Sequence, residues 1–318
     1  MPYFLAIDAG GTRTRCLLAD ERQVLARAST GSIKLQRVGE AEASARLTSM
    51  LDELSTAANI PLRQITRTCI GLAGVSIPDV HAWATKSIPA HVAGDLLLLG
   101  DEEIALEAAF PGAPGVLLIA GTGSHAVARS LDGALHRAGG WGPILGDDGG
   151  GYWIGLEALR TALRILDSRP DDPNASLLLD AIKRHWGLTS LAALIELGNR
   201  RGGTTHPPTD FASLAPVVAG CAQEGNSLAA ELLRTAGDSL ARLIAIAAAS
   251  AAATPSAATQ IAPTVAAIRV AFTGSVLEHI PAVRTALVAA LTRTVPGAEL
   301  SETAVDPLEG ALYRARNG

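Results

Sequence analysis

The sequence has few of the residues that build disulfide scaffolds, metal clusters or base-stacking surfaces. It contains three cysteines among 318 residues, and aromatic residues make up 3% of the chain. Cys16, Cys69 and Cys221 lie far apart in apolar stretches, so we expect buried free thiols rather than a zinc or iron–sulfur site. The scarcity of aromatic side chains argues against a platform on which single-stranded bases stack.

Basic residues are not in excess either, and long apolar runs are missing. The net charge is −5, and the lysine and arginine residues are scattered, so nucleic acid is not an expected partner. The first residues enter a strand directly, without the pattern of a secretory signal. No apolar stretch is long enough to cross a bilayer, so we expect no membrane partner, and the isolated free thiols favour the reducing cytoplasm. The length suggests about two domains.

Two glycine turns stand out, and each follows an apolar run. Residues 8–14 follow the run 3–7, residues 121–124 follow the run 116–120, and a strand-like stretch comes after each turn. Glycine lets backbone N–H groups approach phosphate oxygens, and threonine or serine adds a hydroxyl donor. Two ordinary hairpins are the alternative, but the pairing of the turns and the acid Asp8 favour a nucleotide triphosphate. The predicted phosphate ligands are Gly10, Gly11, Thr12 and Thr14 in the first turn, and Gly121, Thr122, Gly123 and Ser124 in the second.

The order of elements predicts an α/β protein built from two similar halves. The first 110 residues are predicted as β-β-β-α-β-α-β-α, and a hairpin starts the order again at Gly115. The later predictions are helices at 152–166, 175–186, 191–199, 211–223, 227–250 and 282–292, a strand at 269–272, and a mobile Ala/Thr/Pro loop at 251–267. This order is typical of two ribonuclease-H-like lobes. Ligands bind beyond the carboxyl ends of such strands, so we expect Asp8, Asp101 and Ser124 to meet at an interlobe cleft.

Two acidic residues are candidates for the chemistry. Asp101 follows a run of four leucines at a predicted strand end, where a carboxylate can accept a proton from a substrate hydroxyl. Its alternative role is to cap the helix that starts with Glu102. Asp8 could hold Mg²⁺ through water, and its alternative role is to form the turn. Thr12 and Thr14 alternate along the following strand, so both are expected to face the same ligand.

The stretch 139–155 is the densest in glycine, with seven glycines between residues 139 and 151. Ordering so much glycine costs conformational entropy, which favours a loop whose backbone approaches a ligand. Asp147 could accept hydrogen bonds from two sugar hydroxyls, and Trp141 could flank the apolar face of a sugar ring. Trp153 is expected to pack in the core.

Together these motifs resemble the BadF/BadG/BcrA/BcrD family of actin-fold ATPases and sugar kinases. The resembling segments are 6–14, 100–106, 120–124, 139–149, 272–277 and 307–312. The resemblance implies an ATP-dependent kinase of an amino sugar, most simply acting on the 6-hydroxyl with Mg²⁺. It also implies an N-terminal lobe of residues 1–112 that the helix 306–318 rejoins, a C-terminal lobe of residues 113–305, and a homodimer formed through the second lobe.

The resemblance also implies roles for individual residues. Asp101 would be the base, Asp147 would bind the sugar together with Gly74, Ser76 and Gly149, and Gly274 and Ser275 would belong to the adenosine motif. Lys34 stands where related sugar kinases commonly carry an asparagine that touches the sugar. A lysine there either meets an acidic substituent, such as the lactyl carboxylate of a muramic acid, or points to solvent.

Two other functions fit parts of the pattern. An ATPase that activates a dehydratase needs cysteines that bridge an iron–sulfur cluster, and the three isolated cysteines do not provide such a pair. A non-catalytic sugar sensor would have no need of Asp8, Asp101 and both glycine turns. The cysteine-rich zinc motif of the ROK sugar kinases is absent from the sequence.

Overall fold

The computed structural model describes residues 1–200, 209–253 and 268–318. The chain forms two compact units, one of Met1–Gly115 with Val305–Gly318 and one of Val116–Ala304. Most of the Ala/Thr/Pro stretch, residues 254–267, lies outside the described residues. The three cysteines are buried and free, as expected.

The first unit contains a five-stranded sheet in the order β3-β2-β1-β4-β5. Strands β1, β2 and β3 form an antiparallel meander, and β4 and β5 add to it in parallel with β1. The strands are β1 Tyr3–Ala9, β2 Arg13–Ala19, β3 Val24–Gly31, β4 Ile65–Leu72 and β5 Asp95–Leu99. The helices are α1 Leu35–Val38, α2 Glu40–Ala58, α3 Pro78–His91, α4 Asp101–Ala109 and the C-terminal helix Pro307–Asn317, with a 3-10 turn at Leu62–Gln64.

Both faces of this sheet are covered, so its strands are apolar on both sides. Leu5 and Ile7 of β1 belong to a core with residues of α2 and α3. Phe4 and Ala6 face the other way, into a core with residues of α4 and the C-terminal helix. At the crossing of these two helices, a Cβ on Gly310 would lie 2.6 Å from the backbone nitrogen of Ala108. The closing segment of the chain is therefore an integral layer of the first unit.

The second unit repeats this topology. Its sheet has the order β10-β9-β6-β7-β8, so the first strand is again flanked by the second and the fourth. The strands are β6 Gly115–Ala120, β7 Ser124–Arg129, β8 Leu135–Gly139, β9 Arg269–Thr273 and β10 Glu299–Leu300. The duplication expected from the sequence is confirmed, and the short strand β10 is an addition that the sequence pattern did not indicate.

Helices supply most of the second core. They are α5 Gly151–Ser168, α6 Pro173–His185, α7 Leu191–Gly198, α8 Ala215–Gln223, α9 Ser227–Ala252, α10 Ser275–His279 and α11 Pro281–Thr294. Two predicted helices differ in the structure. The stretch 211–223 starts as a 3-10 turn, Phe211–Leu214, before α8. A separate α10 precedes α11, because Ile280 leaves helical geometry and Pro281 starts the next helix at its first position. None of the helices in the described parts of the chain has the length and apolarity of a membrane span.

Candidate active site

The first glycine turn (residues 8–14) joins β1 to β2 and is held from two sides. The N–H of Gly10 donates to the carbonyl of Arg13 at 3.1 Å, which closes the turn. The segment after β3 packs on it: the Ser32 hydroxyl donates to the Gly10 carbonyl at 3.4 Å, and the Arg37 guanidinium donates to the Gly11 carbonyl at 3.0 Å. The turn and the segment that carries Lys34 are therefore neighbours.

Thr12 and Thr14 do not share one environment, contrary to the expectation from the sequence. Thr12 is exposed in the turn, whereas Thr14 is fully buried. Thr14 lies on the same side of β2 as Cys16 and Leu18, which pack against α2 and α3. Among the described residues, its Oγ1 has no hydrogen-bond partner. Only Thr12 presents its hydroxyl at the surface of the turn.

Asp8 is paired across the β1–β2 hairpin with Arg15, its register partner. Nη2 of Arg15 donates to Oδ2 of Asp8 at 2.6 Å and to Oδ1 of Asp306 at 2.8 Å. Asp306 caps the C-terminal helix by accepting from the N–H of Leu308. Burial raises the pKa of Asp8 above its ordinary value, and the hydrogen bond and charge of Arg15 oppose the rise. Arg15 therefore fixes the Asp8 carboxylate to the end of the chain.

The donor set around Asp8 limits how it could hold a metal ion. In the part of the chain that the structure describes, no group of three or more His, Cys, Asp or Glu side chains could hold one. Mg²⁺ is commonly bound by one or two carboxylates together with substrate phosphates and waters. One carboxylate beside a glycine turn matches this mode of binding, so Asp8 suits a Mg²⁺ ion that arrives with a nucleotide.

The predicted residues of the first unit gather at one edge of its sheet. Asp8 is in register with Gly71 of β4, and Gly71 with Leu99 of β5, so Asp101 follows at the same edge as Asp8. The turn after β4 brings Gly74 and Ser76 to this edge. Gly74 has φ +80°, which favours glycine, and Ser76 is exposed. Strand β3 runs in the same direction as β1 because both are antiparallel to β2, so half-buried Lys34 follows at this edge too.

Asp101 is the first residue of α4 and is half-buried. The alternative in which it caps this helix is wrong, because the N-cap is Gly100, whose backbone is extended. Glu103 completes the local capping by accepting from the N–H of Gly100 at 3.1 Å. The Asp101 side chain is therefore not required as a helix cap.

The second glycine turn (residues 121–124) is closed by a hydrogen bond from the N–H of Gly121 to the carbonyl of Gly123 at 3.0 Å. The start of α5 is tied to it. Gly151 donates to the Gly121 carbonyl at 2.8 Å, and Tyr152 donates to the Thr122 carbonyl at 2.9 Å. Thr122 is exposed, whereas Ser124 is buried and its hydroxyl donates to the Asp148 carbonyl at 2.8 Å. In this structure the Ser124 hydroxyl therefore links the turn to the glycine-rich loop (residues 139–151).

Glycines are required where these backbones touch. A Cβ on Gly150 would lie 2.7 Å from the carbonyl carbon of Gly123. Gly274 has φ +107°, and its Cβ would lie 2.9 Å from the nitrogen of Gly121. Gly149 has φ +85° and packs its backbone against α9, where a Cβ would meet the Ala236 carbonyl at 2.7 Å. Backbone packing therefore joins three segments: the second glycine turn, the glycine-rich loop and the end of β9. Ser275, which follows β9, is exposed.

Asp147 occupies a constrained position within the glycine-rich loop. It has φ +62°, which is uncommon for a residue with a side chain. Its Oδ1 accepts from the N–H of Gly142 at 3.2 Å, and the backbone N–H of Ser124 is near enough to the carboxylate to act on its pKa. Burial raises the pKa of Asp147, and these two N–H groups and His125 lower it. Trp141 in the same loop is 74% exposed, whereas Trp153 packs against the core as expected.

The sequence analysis did not find three of the residues that organise these sites. Arg15 had a detectable signal, because a tight turn between two antiparallel strands places it opposite Asp8. Arg37 and Asp306 had none, since each reaches its partner through tertiary packing. Asp306 lies 291 residues from Arg15 in the chain.

Two α/β units with the same strand order, each with a glycine turn after its first strand, define the two-lobed fold of actin-like ATPases and sugar kinases. The chain belongs to the BadF/BadG/BcrA/BcrD ATPase family, whose model matches residues 5–315. The resemblance noted in the sequence is therefore confirmed over nearly the whole chain.

Known relatives are similar over most of their length. The chain is 29% identical over 242 residues to an N-acetylmuramic acid/N-acetylglucosamine kinase of Clostridium acetobutylicum, which covers 76% of this chain and 77% of the relative. It is 28% identical to the glucosamine kinase GspK of Vibrio cholerae, with 77% and 81% covered. A solved Chromobacterium violaceum protein, provisionally named N-acetylglucosamine kinase, matches with a TM-score of 0.72 and 26% identity, covering 98% of each chain.

Proposed function

We propose that this protein is a kinase that transfers the γ-phosphoryl group of ATP to a hydroxyl of an amino sugar, most simply the 6-hydroxyl. The observation that carries the proposal is the placement of Asp101. This half-buried carboxylate lies at the same sheet edge as the first glycine turn and Asp8, and it is not the cap of its own helix. Sequence similarity to curated amino-sugar kinases supports an amino sugar as the substrate.

In this proposal Asp101 accepts the proton of the sugar hydroxyl as that oxygen attacks the γ-phosphorus. Backbone N–H groups of the two glycine turns bind the phosphates, with Thr12 and Thr122 as exposed hydroxyl donors. A Mg²⁺ ion bound with the nucleotide would neutralise the charge that develops on the transferred group, and Asp8 is the residue that would hold it. Gly274 and Ser275 would contact the adenosine.

For the sugar we propose six ligand residues. Asp147 accepts hydrogen bonds from sugar hydroxyls, exposed Trp141 flanks the ring, and Gly149 shapes the loop between them. Gly74, Ser76 and Lys34 are the other three. Lys34 gives the site a cation, which suits a sugar with a carboxylate such as N-acetylmuramic acid. One relative, from Clostridium acetobutylicum, is named for both N-acetylmuramic acid and N-acetylglucosamine.

A substrate panel tests this function. Purified protein, ATP and Mg²⁺ are incubated with N-acetylglucosamine, glucosamine, N-acetylmuramic acid and glucose, and ADP release and sugar phosphate are both measured. Phosphorylation of an amino sugar at the 6-position is expected. Folded protein that binds ATP but phosphorylates none of these sugars would instead favour a sugar-sensing role.

The Lys34→Asn variant tests the sugar preference in the same assay. If Lys34 contacts the lactyl carboxylate, kcat/KM for N-acetylmuramic acid falls more than that for N-acetylglucosamine. An equal change for both sugars would place the lysine outside the carboxylate subsite.

The dehydratase-activator alternative is not favoured, because the buried free thiols Cys16, Cys69 and Cys221 do not present paired cluster ligands. We further propose lobes of residues 1–112 with 306–318 and of residues 113–305, and a homodimer formed through the second lobe. Exposed Leu177, Leu191, Ile195 and Ile246 supply apolar surface in that lobe. Free thiols and the use of ATP support a cytoplasmic location. Light scattering on the purified protein tests the dimer.

A further inference from the structure

The second glycine turn and the glycine-rich loop are joined by one charged side chain. Asp147 reaches from the loop to the turn, where its carboxylate lies against Gly123. A Cβ on Gly123 would lie 2.9 Å from Cγ of Asp147. The space that any other residue would need at position 123 is therefore filled by the Asp147 carboxylate.

The backbones of the two segments are also held together, so the carboxylate cannot easily leave the turn. Gly140 donates to the Ser124 carbonyl at 3.1 Å, and Gly151 donates to the Gly121 carbonyl at 2.8 Å. The Ser124 hydroxyl binds the Asp148 carbonyl at 2.8 Å. Within Asp147 itself, the left-handed backbone and the hydrogen bond from Gly142 fix the direction of the side chain.

From this geometry we propose that Asp147 couples the two substrates: without sugar its carboxylate weakens phosphate binding at residues 121–124, and sugar hydroxyls that donate to it relieve that effect. The inference rests on the proposed function, because it takes the turn as a phosphate site and Asp147 as a sugar ligand. The physical cause is repulsion between the carboxylate and the phosphates. Hydrogen bonds from the sugar spread the carboxylate charge and so weaken this repulsion. Because linkage is reciprocal, nucleotide must also tighten sugar binding.

The test compares two substitutions that remove the same charge from adjacent residues. Asp147→Asn removes the carboxylate that lies on the turn, and Asp148→Asn removes an exposed one while keeping the carbonyl that Ser124 binds. A non-hydrolysable ATP analogue with Mg²⁺ is titrated by calorimetry, with and without N-acetylglucosamine. In the wild type, we expect the sugar to lower the nucleotide Kd about fivefold or more. Asp147→Asn lowers the sugar-free nucleotide Kd by a similar factor and abolishes the sugar effect, whereas Asp148→Asn retains the coupling.

A glycine pair tests the contact without changing charge. Gly123→Ala displaces the Asp147 carboxylate, whereas a Cβ on Gly121, in the same turn, meets no atom within 4 Å. In the absence of nucleotide, we expect Gly123→Ala to weaken sugar binding about fivefold or more relative to Gly121→Ala, as followed by tryptophan fluorescence. Circular dichroism and thermal melting verify that both variants fold.

Different results overturn different claims. Equal effects of the two aspartate substitutions on sugar-free nucleotide affinity overturn the coupling, as does equal sugar affinity of the two glycine variants. If the wild type binds nucleotide but no amino sugar, the proposed function fails. The nucleotide Kd values of Asp147→Asn and Asp148→Asn without sugar then still decide whether the Asp147 carboxylate weakens nucleotide binding. A wild type that binds neither ligand overturns both claims.

Discussion

Nη2 of Arg15 lies 2.6 Å from Oδ2 of Asp8, on the opposite strand of the β1–β2 hairpin. The same nitrogen lies 2.8 Å from Oδ1 of Asp306, where the C-terminal helix begins. One guanidinium thus joins the carboxylate beside the first glycine turn to the last helix of the chain.

Loss of this guanidinium is expected to destabilise the first unit. Arg15→Gln leaves Asp8, whose side chain is 14% exposed, without its charged partner. We expect the free energy of unfolding to fall by about 1–3 kcal/mol, measured by urea denaturation. Arg27→Gln is the matched control, because its partner Glu309 and Arg27 itself are both about half exposed, and such pairs contribute at most about 1 kcal/mol. Equal losses of unfolding free energy in the two variants would mean that the Arg15–Asp8 pair stabilises the protein no more than an exposed ion pair does.

Asp101→Asn is expected to remove the base while leaving the fold intact. Because Gly100 and Glu103 supply the capping at the start of α4, the melting temperature should change little. We expect kcat for the sugar substrate to fall about 10²–10⁴-fold. Asp95→Asn, with the same charge change at the other, exposed end of β5, should retain wild-type turnover. Undiminished turnover by folded Asp101→Asn protein would eliminate Asp101 as the base.

Two helical glycines are expected to respond to alanine in opposite directions. Gly310→Ala would place a methyl group against the backbone of α4, and overpacking of this kind costs about 1–3 kcal/mol. At Gly220 of α8, a methyl group would meet no atom within 4 Å, so alanine there should stabilise the protein by about 0.5–1 kcal/mol. Chemical denaturation measures both effects. A stabilising Gly310→Ala substitution would show that the C-terminal helix does not pack closely on α4.

The cysteines are expected to resist thiol reagents in the native protein. Burial raises the pKa of Cys16 and of Cys69 to about 12, and it also raises the pKa of Cys221. Because the thiolate is the reactive form, the native thiols should remain largely unmodified by Ellman's reagent at pH 8. In guanidinium chloride all three should react at once. Rapid modification of the native protein would show that these sites open to solvent.

Much of the fold could be predicted because its signals are local. The apolar runs, the glycines that end them and the spacing of helices between strands indicate two α/β halves before any contact is known. The position of Asp101 at the end of β5 also follows from the sequence, since parallel strands place their carboxyl ends at one sheet edge.

Local signals were insufficient where the outcome depends on packing or on backbone geometry. The cap of α4 is Gly100 and not Asp101, which the extended backbone at Gly100 decides. Thr14 is buried because α2 and α3 cover its side of β2, although the alternation of residues had placed it beside Thr12 at the ligand.

The sequence by itself determined the two glycine turns, the order of elements and the carboxylates available for chemistry, because these features depend on residue type and short-range spacing. Only the tertiary structure decided the carboxylate contacts that lie outside one hairpin. Asp306 reaches Arg15, and Asp147 lies against Gly123, because packing brings together segments that are separated in the chain. Burial and neighbouring groups at these contacts set the pKa of Asp8 and of Asp147, and residue type alone does not encode them.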